Sequence, residues 1–344
     1  MGRDVTQRIN VDATNESRHR AGDTVLIRCH GILSVLLEAP RCDMRTALHQ
    51  HSFWMDRMSL DPVNPGRLSA RTQGAGDLVV CLHSSAGTHA QWQGLAQTLS
   101  TRWQVLAPDL YGHGRSPQWP QAAMNTLHVD AQAVTALMES TSPHLDQRGV
   151  HLVGHSYGGA VALQIALRYP RRVRSLTLYE PVAFGVMREL APRDPALAEI
   201  TDIAYIVRGL MRRGEMDEAA AQFISYWGGD DAWTRMTPAQ RGAVGLRMPA
   251  VPRHFEACFA ARWSQTVLSR LSMPVLLMHG SLTRTPARRV AELLSRALPH
   301  AQRCELPGAG HLGPMTHEKT VTEWMAMYLD PSLATGLNRV AMAA

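Results

Sequence analysis

The stretch Val150-His-Leu-Val-Gly-His-Ser-Tyr-Gly-Gly159 constrains the fold of this chain more than any other. The apolar run Val150 to Val153 reads as a strand buried on both faces of a parallel sheet, and Gly159-Ala-Val-Ala-Leu163 opens a helix with apolar spacing. Between them, Gly154-His-Ser-Tyr-Gly158 must turn the chain from strand to helix within a few residues. A turn that tight forces Ser156 into a strained backbone conformation and leaves no room for a side chain at 154 or 158. It also lifts the serine hydroxyl clear of the sheet at the N-terminus of a helix, where the dipole favours a developing negative charge.

The neighbouring sequence repeats the same alternation. Asp77 to Leu82 is an apolar strand ending in His83-Ser-Ser-Ala-Gly87, followed by an amphipathic helix from Gln91 to Leu99. A strand from Trp103 to Ala107 runs into Pro108-Asp-Leu-Tyr-Gly-His-Gly-Arg-Ser-Pro117, and a helix from about Leu127 to Glu139 leads to the Ser156 strand. Val173 to Tyr179 is a further apolar strand, followed at once by Glu180-Pro181. Strict alternation of this kind predicts a mostly parallel sheet with right-handed crossovers and helices on both faces.

From about Ala183 to Arg270 the alternation stops, and helices are expected at Ala196 to Arg213, Met216 to Tyr226, Pro238 to Leu246 and His254 to Ser269. Strand and helix then resume with Met273 to Gly280, Ala287 to Leu298 and Gln302 to Leu306. Gly308-Ala-Gly-His-Leu-Gly313 and a helix from Glu318 to Leu329 follow. A helical block between two strands of one sheet is placed to cover the strands' carboxyl ends, where open α/β sheets bind ligands.

These landmarks, taken together and in this order, resemble an α/β-hydrolase with a helical cap. They are His83-Ser-Ser-Ala-Gly87, Asp109-Leu-Tyr-Gly-His-Gly-Arg-Ser116, the nucleophile-elbow pattern Gly154-His-Ser-Tyr-Gly158, and Gly308-Ala-Gly-His311. The resemblance implies an α/β fold with a hydrolase core at 66–182 and 271–332 and a helical cap at 183–270. Residues 1–65 lie outside it as an N-terminal extension of mixed charge, with a short helix expected at Ser34 to His49 and a closing turn at Asp61 to Gly66.

The resemblance also implies roles. Ser156 is the nucleophile and needs a base, which the family carries on the loop after the last strand, where His311 stands. The carboxylate that orients the base usually follows the penultimate strand, but the loop 279–286 contains no acidic residue, and Ser281 and Thr283 occupy the expected place. Some relatives carry the acid one strand earlier, which selects Glu180 and keeps the chain order Ser156, Glu180, His311. The alternative for Glu180 is a structural one, pairing with a cap arginine or capping a helix. The oxyanion-binding N–H groups are expected from Tyr157 and Ser85, with Ser84 standing where the family usually has glycine. Asp109 and His113 read as a turn network, and His155 as packing beside the elbow.

The implied activity is cofactor-independent hydrolysis of an ester, thioester or lactone of a small to medium apolar substrate through an acyl-enzyme. Carbon–carbon bond hydrolysis, perhydrolysis and ligand binding without catalysis are the alternatives on the same scaffold. A serine at 156 argues against dehalogenase and epoxide-hydrolase chemistry, which would call for aspartate there. Cap aromatics including Phe223, Trp227 and Phe255 are candidates to line an apolar pocket.

Composition narrows the partners. The net charge of +6 comes from scattered arginines, with Lys319 the only lysine, so no basic stripe suggests nucleic acid. Five isolated cysteines, Cys29, Cys42, Cys81, Cys258 and Cys304, have no metal-ligand spacing and point to reduced thiols, hence a cytoplasmic setting. No cofactor, metal site or membrane span is expected. The first residues lack the apolar segment of a signal peptide, and the best early run, Ile32 to Leu37, is too short to cross a bilayer. Hydrophobic residues make up 45% of the chain and the mean hydropathy is -0.16, which suits a soluble globular protein with a full core; the small-molecule substrate is what the resemblance implies.

Overall fold

The computed structural model describes residues 68–120 and 126–333. The N-terminal extension, the helix expected at Ser34 to His49, the turn at 61–66, and Cys29 and Cys42 lie outside the described residues.

Seven strands form one sheet: β1 (Ala70–Gln73), β2 (Asp77–Leu82), β3 (Trp103–Pro108), β4 (Val150–His155), β5 (Val173–Tyr179), β6 (Val275–Gly280) and β7 (Ala301–Leu306). Helices α1 (Gln93–Leu99), α2 (Thr126–Thr141), α3 (Leu145–Arg148) and α4 (Tyr157–Arg168) alternate with the first strands. After β5 come α5 (Gly185–Leu190), α6 (Pro195–Arg212), α7 (Met216–Gly228), α8 (Ala232–Arg235), α9 (Pro238–Gly245), α10 (Val251–Ala260) and α11 (Gln265–Leu268). The core then closes with α12 (Thr285–Ala297), α13 (Gly313–Thr316) and α14 (Glu318–Leu329).

The strand order is β1-β3-β2-β4-β5-β6-β7, parallel throughout except for the antiparallel β1–β3 pair. The chain leaves β2 toward β3 on one side and returns to β4 on the other. The loops after β2 and β4 therefore part at a topological switch point, where a crevice opens at the carboxyl ends of the strands.

Why the strands read as continuous apolar runs is visible in the packing. Leu78, Val80 and Leu82 of β2 pack into the cluster on one face, with Leu152, Leu178 and the residues of α2 and α4. The alternate residues Val79 and Cys81 join Val105, Val153, Met278 and the α1 and α14 side chains Leu95, Leu99, Val321 and Met325 on the other. Both faces are covered, so period-2 alternation disappears.

Three expectations are corrected. β1 was not expected: its Ala-Arg-Thr-Gln is exposed at every position and carries no apolar signal, and only the ladder to β3 defines it. The helix expected from His254 to Ser269 is two helices. Ala261 turns to an extended conformation (φ -64, ψ 131), and Ser264 caps α11 by accepting from the Val267 N–H. The helix expected from Gln91 begins as a 3-10 turn over His89–Trp92. Among the described residues no helix is long and apolar enough to cross a membrane.

Candidate active site

The turn after β4 has the geometry its sequence demands. Ser156 adopts φ 55 and ψ -119 as the residue preceding α4. A Cβ on Gly154 would lie 2.6 Å from both the Gly158 oxygen and the Gly159 Cα, and one on Gly158 would drive into the carbonyl oxygens of Leu82 and His83. Among the described residues only Ala86, Ser156 and Glu180 are non-glycine residues with positive φ, and each lies in the turn after a central strand: β2, β4 and β5. Backbone strain concentrated in this way marks places where the surrounding structure over-determines a conformation.

Ser156, Glu180 and His311 come together from three strand ends. The His311 Nε2 lies 3.0 Å from the Ser156 Oγ, and its Nδ1 lies 2.8 Å from the Glu180 Oε2. All three are buried, with Glu180 at 0% and His311 at 3% exposure. The Glu180 carboxylate also accepts from the Gly280 N–H at 2.8 Å and from the Thr283 hydroxyl at 2.5 Å. The loop without an acidic residue thus meets the carboxylate from the preceding strand with two hydrogen-bond donors, and Thr283 touches the group that sequence reasoning expected in its own place.

The His311 loop is tied down independently. The Tyr179 hydroxyl donates to the Gly310 carbonyl at 2.8 Å, and the His155 Nε2–H donates to the His311 carbonyl at 2.8 Å. Burial pushes the His155 pKa well below the usual 6.5 and keeps the imidazole neutral. Trp227 of α7 stacks on the His311 ring, with centroids 3.9 Å apart and planes at 28°. An indole there shields one face of the imidazole from water.

The loop after β2 is pinned residue by residue. His83 donates its Nδ1–H to the Ser84 carbonyl at 2.7 Å and accepts from the Leu110 N–H at 2.9 Å. Ser84 donates both its N–H and its hydroxyl to the Gln91 side-chain oxygen, each at 3.1 Å, so the serine found in place of glycine gains a partner. Ala86 donates its N–H to the His113 Nε2 at 3.2 Å, while its carbonyl accepts from Arg247 at 2.6 Å. Asp109 accepts from the His89 and Arg115 N–H groups, as the turn-network reading expected. Burial lowers His83 to about 4 and His113 to about 3, so both stay neutral and free to accept.

Sequence reasoning gave His254 no place at the site. This α10 residue is buried, and its Nδ1 is 2.7 Å from the Ser85 Oγ. Its ring stacks on Tyr157 with centroids 3.5 Å apart and planes at 10°. The Tyr157 hydroxyl in turn donates to Asp130 at 2.8 Å, whose carboxyl burial raises to about 7. One imidazole from the inserted helices therefore links the side chains of Tyr157 and Ser85. Both the partner and the pairing are distant in sequence, so no local pattern announces them.

Ser156 stands between two spaces. An inner niche lined by Ser85, Val182, Phe184, Phe223, Trp227, His254, Phe255 and Cys258 holds about 10 Å³, close to the room for one water. An outer cleft of about 660 Å³ is lined by Ser85, His311, Gln91, Trp227, Met236, Arg235 and Arg247, among others.

A sheet of this order, with an alcohol at the switch point and an imidazole and carboxylate behind it, defines a hydrolase scaffold of the α/β class. A model of the alpha/beta hydrolase fold matches residues 77–318, and the chain belongs to that family. The chain is 28% identical over 270 residues to a pimeloyl-(acyl-carrier protein) methyl ester esterase of Chromobacterium violaceum, covering 76% of this chain and 98% of the relative. Among solved structures it resembles a hydrolase of Pseudomonas aeruginosa (TM-score 0.63, 24% identity, 76% of this chain and 94% of the other). It also resembles the enol-lactonase of Burkholderia xenovorans (TM-score 0.61, 19% identity, 76% and 96%). These likenesses, below 25% identity, speak for the fold.

Proposed function

We propose that the protein is a serine hydrolase that cleaves carboxylic esters, or the related thioesters and lactones, through an acyl-enzyme. The observation that carries this reading is the continuous relay from the Ser156 Oγ through His311 to Glu180, at 3.0 and 2.8 Å. His311 takes the Ser156 proton as the oxygen attacks the ester carbonyl, and Glu180 holds the imidazole in the tautomer whose Nε2 is free to accept. The Tyr157 N–H is at the first helical position of α4, where no intrahelical acceptor exists, and it faces the developing oxyanion together with the Ser85 N–H. The alkoxide leaves with the proton held by His311. A water then enters and gives a proton to the same imidazole as its oxygen attacks the acyl carbon; the bond to Ser156 breaks, the acid leaves, and His311 returns the proton to the Ser156 oxygen.

The inner niche takes no more than the methyl end of an acetyl-sized acyl group, since Phe184, Phe223 and Phe255 leave it room for about one water. The leaving group occupies the outer cleft. Helices α5 to α11 serve as a cap, bringing Trp227 and His254 over the reacting groups. The esterase name of the Chromobacterium relative agrees with this reading.

The test is hydrolysis of a short-chain aryl ester by the wild type and Ser156→Ala, with fluorophosphonate labelling mapped by mass spectrometry. Turnover and a label on Ser156 are expected in the wild type alone. Equal background rates in both proteins, or an unlabelled Ser156 in folded protein, would remove the proposal.

A further inference from the structure

The outer cleft that holds Ser156 and His311 contains two arginines, Arg235 and Arg247, and no carboxylate side chain among its lining residues. The two arginines differ. Arg235 is ion-paired with Asp231, and both side chains are well exposed, so solvent screens that charge. Arg247 is partly buried, between α9 and the turn that leads into α10. Its hydrogen bond is to a neutral group, the Ala86 carbonyl. Among the described residues it forms no ion pair. Asp109 acts on it only through space, with its oxygens already engaged by His89 and Arg115.

Burial pushes the Arg247 pKa down from its ordinary value, which reports a cation poorly compensated where it sits. Partly buried charges are normally paired, because removing an ion from water costs more than a neutral acceptor returns. A guanidinium offers five N–H donors in a planar fork, and the Ala86 carbonyl takes one. The remaining donors sit one residue along the loop from Ser85, beside the space where the leaving group lies. The chemistry matching an unpaired fork at that place is an oxyanion on the substrate.

We propose that Arg247 is a specificity-determining residue that binds an anionic group, a carboxylate or a phosphate, on the leaving-group side of the substrate. The inference rests on the ester-hydrolase reading and adds the charge class of the ester. Arg235, at the rim of the same cleft, strengthens the local positive field and is secondary to it.

The experiment compares three acetate esters of matched size: 4-carboxyphenyl acetate, 4-phosphonophenyl acetate and the neutral 4-carbamoylphenyl acetate. Each kcat/KM is divided by the rate of the same ester with hydroxide, to remove differences in leaving-group reactivity. In the wild type the charged esters are expected to exceed the neutral one by about tenfold, the size of one charge-assisted contact. Arg247→Gln should bring the charged-to-neutral ratio near one, and Arg247→Lys should restore part of it, because lysine keeps the charge without the fork. Comparing carboxylate with phosphonate identifies the preferred anion. Arg247 also braces the Ala86 carbonyl, so absolute rates in the variants will fall. The ratio within each protein is the readout, and a general loss cancels from it.

A wild type that cleaves the neutral ester as well as the charged ones would overturn the inference. So would a ratio unchanged by Arg247→Gln. Both outcomes leave the ester-hydrolase reading standing, whereas a wild type inactive on all three esters fails that reading first.

Discussion

Replacing Glu180 by glutamine tests the site most sharply, because the structure fixes what every atom of the carboxylate does. Its two oxygens accept from three donors, the Gly280 N–H, the Thr283 hydroxyl and the His311 Nδ1–H. Glutamine keeps the shape but converts one oxygen into a donor, and neither orientation fits. With its NH2 toward Gly280, two N–H groups oppose each other at about the observed 2.8 Å. With its NH2 toward His311, the imidazole must carry its proton on Nε2, which then cannot accept from Ser156. An unmatched buried donor costs ~1–3 kcal/mol, and the wrong histidine tautomer costs about 10⁴ in kcat, some 5 kcal/mol. Glu180→Gln should therefore fold, lose a little thermal stability, and turn over an aryl ester 10³- to 10⁴-fold more slowly than wild type, at the rates expected when a triad tautomer is inverted. Stopped assays at neutral pH, with circular dichroism on the same preparations, measure both. A variant within tenfold of wild type would refute the carboxylate's role and leave Glu180 as a structural partner for the 280–283 loop.

Thr283→Val removes one donor to the same carboxylate while conserving shape. It should lower kcat by about ten- to a hundredfold, since a hydrogen bond to a charged group is worth about 1.5–3 kcal/mol; an unchanged kcat would detach Thr283 from the relay. His254→Phe keeps a ring to stack on Tyr157 but removes the Ser85 partner, and should reduce kcat with KM nearly constant. A change confined to KM would place His254 in substrate binding instead. Gly158→Ala puts a methyl group into two backbone carbonyls and should cost at least about 3 kcal/mol, read as a large fall in the urea midpoint. For acid stability, His83 and His113 have folded pKa values of about 4 and 3 against 6.5 for the ordinary imidazole. Their contribution is whole above pH 6.5 and is lost as pH falls toward those values, about 2 kcal/mol each at pH 5. Asp130, raised to about 7, works in the opposite sense, but His151, His155 and His254 are also lowered by burial and join the other two. The denaturation midpoint should therefore be lower at pH 5 than at pH 7, and a higher one would contradict these buried neutral states.

The central strands β2, β4 and β6 were legible because burial on both faces writes unbroken apolar runs, and Ser156 was legible because its turn tolerates so few residue types; the polar edge strand β7 carries no such run. Glu180 was reached by chain order, yet what orders its carboxylate, the Gly280 N–H and the Thr283 hydroxyl, lies a hundred residues away in sequence. The same limit hid His254 from Ser85 and Arg247 from Ala86, pairs separated by 169 and 161 residues. No periodicity connects such positions; only the tertiary fold does. β1 stayed hidden for a different reason, since an exposed polar edge strand is defined by its hydrogen bonds alone.

The left-handed backbone at Ser156 has a further consequence for how such a protein ages in a genome. Strain of this kind costs about 1–3 kcal/mol, which glycine at the same position would relieve, less its own larger chain entropy. A lineage released from the need for turnover would find Ser156→Gly neutral or beneficial to folding. On the proposed hydrolysis, Ser156 is a place where the demands of chemistry and the preference of the fold pull in opposite directions.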